Sequence, residues 1–114
     1  MSKAGQHLPA AEAYIALVDR FPSLEFSDKA LYEAAYSYEQ ANQYEKAAKT
    51  YMRMPAQYSK SPLVVRAILR AATVYKLAKD YKTAGQTFLF LTNKFPQDSM
   101  AFRAIGFAAT TYDS

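Results

Sequence analysis

The feature that most constrains this chain is an internal repeat. The segment YEQANQYEKAAKTY at residues 38–51 returns as YKLAKDYKTAGQTF at residues 75–88, with aromatic and alanine positions kept at an offset of 37 residues. The same offset carries on into residues 104–112 and back into residues 10–22. Periods of this length are typical of solenoid proteins, in which each unit packs against its neighbours. The 114 residues are therefore expected to form one domain built from stacked units.

Within each unit the repeated positions have helical spacing. Ala67, Ala71 and Tyr75 lie at i, i+4 and i+8, which places them on one stripe of an amphipathic helix. A second stripe follows, made of Tyr81, Ala84, Phe88 and Leu91. The polar pairs Asn42-Gln43 and Lys79-Asp80 separate the first stripe from the second and suit a short turn. Each unit is therefore predicted to be a helical hairpin, and the fold class is predicted to be all-α with about six helices.

The unit boundaries follow from the same register. A single domain, 1–114, is predicted to contain a second helix alone, two full repeats and a first helix alone, at residues 6–22, 24–58, 61–95 and 98–114 respectively. Ser61-Pro62 is expected to start a helix, because serine caps free backbone N–H groups and proline is tolerated at the first helical position. Pro55 is expected to end or bend the helix in which it falls.

Alanine recurs where two helices of one hairpin would meet. Ala47 and Ala84 are expected to face the pairs Ala34-Ala35 and Ala71-Ala72, and small side chains there let the helix axes approach closely. The neighbouring aromatic side chain then fills the remaining space. Enlarging either alanine is predicted to overpack its hairpin.

No arrangement of residues supports catalysis, a metal site or a cofactor. The chain has no cysteine and one histidine, His7, so thiolate sites, histidine clusters and a catalytic triad lack their residues. The glycines, Gly5, Gly85 and Gly106, are isolated and form no phosphate loop. The chain is therefore predicted not to be an enzyme and to need no cofactor.

The charge is mildly basic, with a formal net charge of +4. This balance suits acidic partners but is equally compatible with an ordinary solvated surface. Specific nucleic-acid binding is not expected, because no nucleic-acid motif accompanies the charge, and a basic helical platform for nucleic acid stays a weaker alternative. The apolar runs of the chain, Phe88–Leu91 among them, are too short to span a bilayer, so no direct membrane insertion is expected.

The pattern of small, aromatic and alanine positions resembles the tetratricopeptide repeat. The first repeat matches it at Leu31, Ala34, Ala35, Tyr38, Tyr44, Ala47 and Tyr51. The second repeat matches it at Ile68, Ala71, Ala72, Tyr75, Tyr81, Ala84, Phe88 and Pro96. The 37-residue period and the joints between units are similar to the bacterial envelope branch of that family, the BamD- and YbgF-like proteins.

The resemblance implies a right-handed superhelix and a function as a protein-interaction scaffold. Such arrays bind a peptide or partner protein in a concave groove lined by first helices, and the envelope branch implies a periplasmic or envelope-associated parent protein. The groove candidates in the first repeat are Lys29, Tyr32, Glu33, Tyr36 and Glu39. Those in the second repeat and last helix are Arg66, Leu69, Arg70, Thr73, Lys76, Arg103, Phe107 and Thr110.

Two of these candidates suggest the chemistry of the partner. Arg66 and Arg70 lie one helical turn apart, so their guanidinium groups are expected to converge on a carboxylate or an acidic peptide. The plainer alternative is a charged, solvated helix face.

The half-repeats at the two ends suggest a different function. A lone second helix and a lone first helix each expose an apolar stripe that a mate would cover. The chain is then either an excerpt of a longer array or a structural self-assembly module whose ends associate between molecules. Joining the end of one molecule to the beginning of the next is a heterologous contact, which gives rings or open fibres.

Overall fold

The computed structural model describes residues 3–96, which form five α-helices and no strand. The helices are α1 (Lys3–Arg20), α2 (Ser27–Gln40), α3 (Tyr44–Gln57), α4 (Val64–Leu77) and α5 (Tyr81–Lys94). Each helix packs against the next one in the chain, so the five form a row with α1 and α5 at its ends. The all-α prediction is confirmed for this part of the chain, and the sixth helix predicted at 98–114 lies outside the described residues.

The sequence repeat is reproduced by the helix boundaries. α2 and α4 are both 14 residues long and begin 37 residues apart, and the same holds for α3 and α5. The predicted helical hairpin is therefore present twice, as α2–α3 and as α4–α5. The two hairpins differ in sequence at most surface positions, whereas their buried alanine and aromatic positions recur.

α1 ends as a second helix of a hairpin does. The N–H of Phe21 donates to the carbonyl of Leu17 at 2.8 Å, and the corresponding bonds at the ends of α3 and α5 recur at an offset of 37 residues. α1 begins at Lys3, a little before the expected position, and runs through Pro9 without interruption. Pro55 likewise lies inside α3, which continues to Gln57, so this proline does not end the helix, and the alternative expectation, that it bends the helix, stays a prediction.

The turn inside each hairpin is a Schellman motif. After α2, Asn42 adopts a left-handed backbone with φ of 62°, and Lys79 does so after α4 with φ of 67°. The N–H of Gln43 reaches back to the carbonyl of Tyr38 at 2.9 Å, which satisfies a carbonyl that the helix leaves unpaired. The polar pairs identified in the sequence are therefore the turns, as predicted.

The joint between the two hairpins differs from expectation. α4 begins at Val64, although Ser61-Pro62 was expected to start it. The Ser61 carbonyl accepts from the Val64 N–H at 3.2 Å, so a tight turn precedes the regular helix. The Ser61 hydroxyl still accepts from the Leu63 N–H at 3.1 Å and also donates to Asp28 Oδ2 at 2.6 Å. Its side chain thus ties the joint to α2 as well as capping the turn.

The core is a line of alanines between larger side chains. Ala34, Ala47, Ala71 and Ala84 are fully buried, and Tyr51 and Phe88 fill the space beside them. Small side chains allow close helix approach, and the aromatic rings restore the packing density of a protein interior. The predicted packing roles of these positions are confirmed. Tyr81, however, was placed on the same stripe and is exposed.

Candidate interaction face on α2 and α4

The candidate site is the surface formed by the outward sides of α2 and α4, which we call the α2/α4 face. Its exposed members are Lys29, Glu33, Tyr36, Arg66, Thr73 and Lys76, and its partly buried members are Tyr32, Glu39, Leu69 and Arg70. The remaining candidates, Arg103, Phe107 and Thr110, lie outside the described residues. All ten described candidates thus belong to the two first helices, and none is buried in the core.

A hydrogen-bonded ion pair joins the two helices at the centre of this face. The Arg70 guanidinium donates to both carboxylate oxygens of Glu39, from Nη2 to Oε2 at 2.6 Å and from Nε to Oε1 at 3.2 Å. The hydroxyl of Tyr51, on α3, donates to Glu39 Oε1 at 2.9 Å and accepts from Arg70 Nε at 3.1 Å. Three helices from two repeats therefore meet in one closed network, the Glu39–Tyr51–Arg70 cluster.

Two tyrosines of α2 surround this cluster. The Arg70 guanidinium lies over the Tyr36 ring, 5.5 Å from its centroid. The Tyr32 ring packs edge-on against Tyr51 with centroids 5.4 Å apart. Arg70 is therefore held by a carboxylate, a hydroxyl and an aromatic face at once, an arrangement that Arg tolerates because its guanidinium is planar and weakly hydrated.

The pKa values in the cluster follow from burial and pairing. Burial raises the pKa of Tyr51 well above its ordinary value, against the opposing effect of the hydrogen bond to Arg70. Burial would lower the pKa of Arg70, but its hydrogen bonds to Glu39 and Tyr51 raise that pKa on balance. Burial also raises the pKa of Tyr32. The arginine is therefore charged and the tyrosines are neutral at any ordinary pH.

The position of Arg70 differs from the sequence-based expectation. Arg66 and Arg70 were expected to converge on a partner's carboxylate, whereas the structure pairs Arg70 with the chain's own Glu39. The repeat itself contains a signal for this pairing. Glu39 of the first repeat corresponds to Lys76 of the second, and Glu33 of the first corresponds to Arg70 of the second. The charge at both positions therefore changes sign between the repeats. Facing positions in adjacent units thereby acquire opposite charges.

Pairing of Arg70 with Glu39 leaves a positive balance on the face. Among the residues that the structure describes, three cations of the face have no ion-pair partner: Lys29, Arg66 and Lys76. Of the described carboxylates on this face, Glu33 alone lacks an ion-pair partner. Exposed cations beside an exposed tyrosine can bind carboxylates by charge-assisted hydrogen bonds while the ring supplies apolar contact. The chemistry available is therefore recognition of an anionic, partly apolar surface.

Two other kinds of site find no support between residues 3 and 96. No group of three or more histidine, cysteine, aspartate or glutamate side chains is placed to hold a metal ion in this part of the chain. Across the same residues, every helix is too short or too polar to cross a membrane.

Comparison with known proteins bears on one repeat. No curated protein matches the chain. Proteins with tetratricopeptide repeats generally use them for protein–protein interaction and not for catalysis. Residues 29–61, which contain most of α2, all of α3 and part of the joint that follows, match the family model of the tetratricopeptide repeat.

Proposed function

We propose that this chain is a non-catalytic scaffold that binds a partner protein or peptide on the α2/α4 face. The observation that carries the proposal is the exposed Tyr36 ring beneath Arg70, with the unpaired cations Arg66 and Lys76 on the neighbouring helix. Aromatic and arginine side chains held together are the residue types that dominate binding energy at protein interfaces. The match of residues 29–61 to a family of interaction modules supports the same assignment.

The α2/α4 face is held together by the chain's own hydrogen bonds. Tyr36 and Arg70 lie on different helices, and the Glu39–Tyr51–Arg70 cluster fixes the distance between those helices. A binding surface whose side chains are already ordered loses less conformational entropy on association. The network therefore supports binding even though Arg70 is not free to pair with a partner's carboxylate.

The partner is proposed to be acidic. The face carries three unpaired cations against one unpaired carboxylate, and the whole chain has a formal net charge of +4. We further infer that the helical row curves as a right-handed superhelix with the α2/α4 face on its concave side. An extended acidic peptide would then lie across α2 and α4.

A charge-reversal experiment tests this proposal. Arg66→Glu combined with Lys76→Glu should remove binding partners that the wild-type chain retains from an extract of the source cells. The matched control is Lys46→Glu combined with Lys82→Glu, which makes the same charge change on α3 and α5 and should retain those partners. Identical partner sets for all three proteins would contradict the proposal. Loss of the partners after nuclease treatment would favour the nucleic-acid alternative, whose binding should fall steeply with salt.

We also propose that the parent protein works in a bacterial envelope assembly and is periplasmic or envelope-associated. The support is the 37-residue period with its joints, which resembles the BamD- and YbgF-like branch. Fractionation of the source cells, with the protein followed by a specific antibody, tests this location. Recovery in the cytosolic fraction would contradict it.

A further inference from the structure

The centre of the α2/α4 face already holds a carboxylate, that of Glu39. Its oxygens accept from Arg70, Oε2 from Nη2 at 2.6 Å and Oε1 from Nε at 3.2 Å, and Oε1 also accepts from the Tyr51 hydroxyl at 2.9 Å. The Glu39 side chain is only 12% exposed. A guanidinium edge and a hydroxyl are donors that proteins commonly offer to a bound carboxylate. Glu39 therefore occupies an anion site formed by Arg70 and Tyr51.

The occupied site is still open to solvent on the side of the arginine. The Arg70 side chain is 38% exposed, and within residues 3–96 its Nη1 group donates to no acceptor. A carboxylate of a partner that approached Nη1 would be attracted by the guanidinium and repelled by Glu39. These two effects oppose each other, so the centre of the face is close to neutral toward a partner.

The unpaired cations lie toward the two ends of the face. Lys29 and Arg66 share a repeat position near the beginning of α2 and α4, and Lys76 lies near the end of α4. Arg66 precedes Lys76 by ten residues, which is about 15 Å along the helix axis. Between them the Arg70 guanidinium lies over the Tyr36 ring, which is 39% exposed. The face therefore has basic ends and an aromatic, nearly neutral centre.

The repeat shows that the hairpin does not require this ion pair. The position of Glu39 is taken by Lys76 in the second repeat, and the position of Arg70 is taken by Glu33 in the first. The helices of the two hairpins nevertheless have the same lengths and begin 37 residues apart. The carboxylate at position 39 is therefore an addition to the packing that both repeats share.

We propose that Glu39 sets the specificity of the α2/α4 face by excluding a partner's carboxylate from its centre. The inference rests on the function proposed above and adds a repulsive element to it, which is a common source of specificity. The preferred partner segment has two acidic residues about 15 Å apart and an apolar residue between them, which packs on the Tyr36 ring. In an extended segment this distance corresponds to about four or five residues.

Two sets of synthetic peptides test the proposal on the full chain. Every peptide is extended and carries two glutamates separated by about four to six residues. The sets differ at one central residue, which is leucine in the first set and glutamate in the second. The wild-type chain should bind the leucine set more tightly, as measured by fluorescence anisotropy. Glu39→Gln keeps an oxygen acceptor for Arg70 but removes the charge, and it should shift the preference toward the glutamate set by about tenfold.

Glu33→Gln is the matched control, because it removes one charge from an exposed position of the same helix that has no ion-pair partner among the described residues. It should raise the affinity for both sets alike and leave the preference unchanged. Glu39→Gln combined with Arg70→Gln has the net charge of the wild type and a neutral centre. This double variant should return the preference to the wild-type value.

The outcomes separate this inference from the function on which it rests. Equal affinity of the wild type for the two sets would overturn the role of Glu39 and leave binding at the face intact, and this comparison holds even if a substitution alters folding. An equal shift in Glu33→Gln and Glu39→Gln would overturn it in the same way. If neither set binds the wild type, the function proposed above fails, and the inference fails with it.

Discussion

Tyr51 and Phe88 occupy the same position in the two repeats and differ by one hydroxyl group. Both rings are buried in the core, but only the Tyr51 hydroxyl enters the cluster with Glu39 and Arg70. The ring therefore has a packing role that both repeats share, and the hydroxyl has an electrostatic role found in the first repeat. Phe88 shows that the second repeat accommodates a phenylalanine at the equivalent position.

Replacing Tyr51 with phenylalanine isolates the role of the hydroxyl. Tyr51→Phe should lower the free energy of unfolding by about 1–3 kcal/mol, because Glu39 and Arg70 each lose a hydrogen bond in a partly buried site. Tyr44→Phe is the control, since its hydroxyl bonds an exposed Asn42 side chain and its loss should cost less than about 1 kcal/mol. Chemical denaturation of both variants measures the difference, and equal effects would contradict a special role for Tyr51.

The fully buried Ala84 allows a test of the alanine contacts. Ala84→Leu should destabilise the chain by about 1–3 kcal/mol, because three extra carbons must enter a core that has no room for them. Ala56→Leu adds the same three carbons at an exposed position of α3 and should change stability by less than about 0.5 kcal/mol. Unchanged thermal unfolding of Ala84→Leu would show that α4 and α5 do not pack as closely as described.

At the level of the helices, the two hairpin turns have the same geometry but different residues. Asn42 and Lys79 both hold a left-handed backbone, which asparagine tolerates better than lysine. The Schellman bonds around both turns are equivalent, so the geometry comes from the helix ends and not from the residue at the turn. The second turn is therefore the more strained of the two.

Relief of this strain is measurable. Lys79→Asn should raise the free energy of unfolding by about 0.5–1 kcal/mol, since the fold keeps its turn and the backbone cost falls. The reciprocal change, Asn42→Lys, should lower it by a similar amount. If both substitutions shift the midpoint of thermal unfolding in the same direction, backbone strain at the left-handed residue does not explain the change in stability.

At the level of the whole molecule, stability should depend on alkaline pH. Burial raises the pKa of Tyr32, Tyr51 and Tyr75 above the ordinary tyrosine value of 10.0. These groups stay neutral in the folded chain at a pH where they ionise in the unfolded chain. Their contribution to stability is therefore complete below about pH 10 and is lost as the pH rises further.

The melting temperature should accordingly fall as the pH is raised above about 10, and less steeply in Tyr51→Phe than in the wild type. Titration by the ultraviolet absorbance of tyrosinate should show a group of tyrosines that ionise only on unfolding. Titration of all ten tyrosines near the ordinary pKa, with no accompanying loss of helix, would contradict the burial of these three rings.

The sequence by itself determined the helices, the turns and the identity of the core. A 37-residue register with helical spacing specifies which positions face inward, because burial of the same small and aromatic residues must succeed in every unit. The predicted turns at Asn42 and Lys79 lie where α2 and α4 end, and the alanines predicted to face one another are buried. These properties are local or periodic, so they can be predicted directly from the sequence.

Only the tertiary structure decided which charged groups pair and which copies of a repeated position stay exposed. Arg70 bonds Glu39 from 31 residues away, and Tyr14 is exposed although its counterpart Tyr51 is buried. Both results depend on which helix lies beside which, and a helix presents the same side chains whether or not a neighbour covers them. Periodicity specifies the inward side of each helix, but stacking in three dimensions supplies the partner.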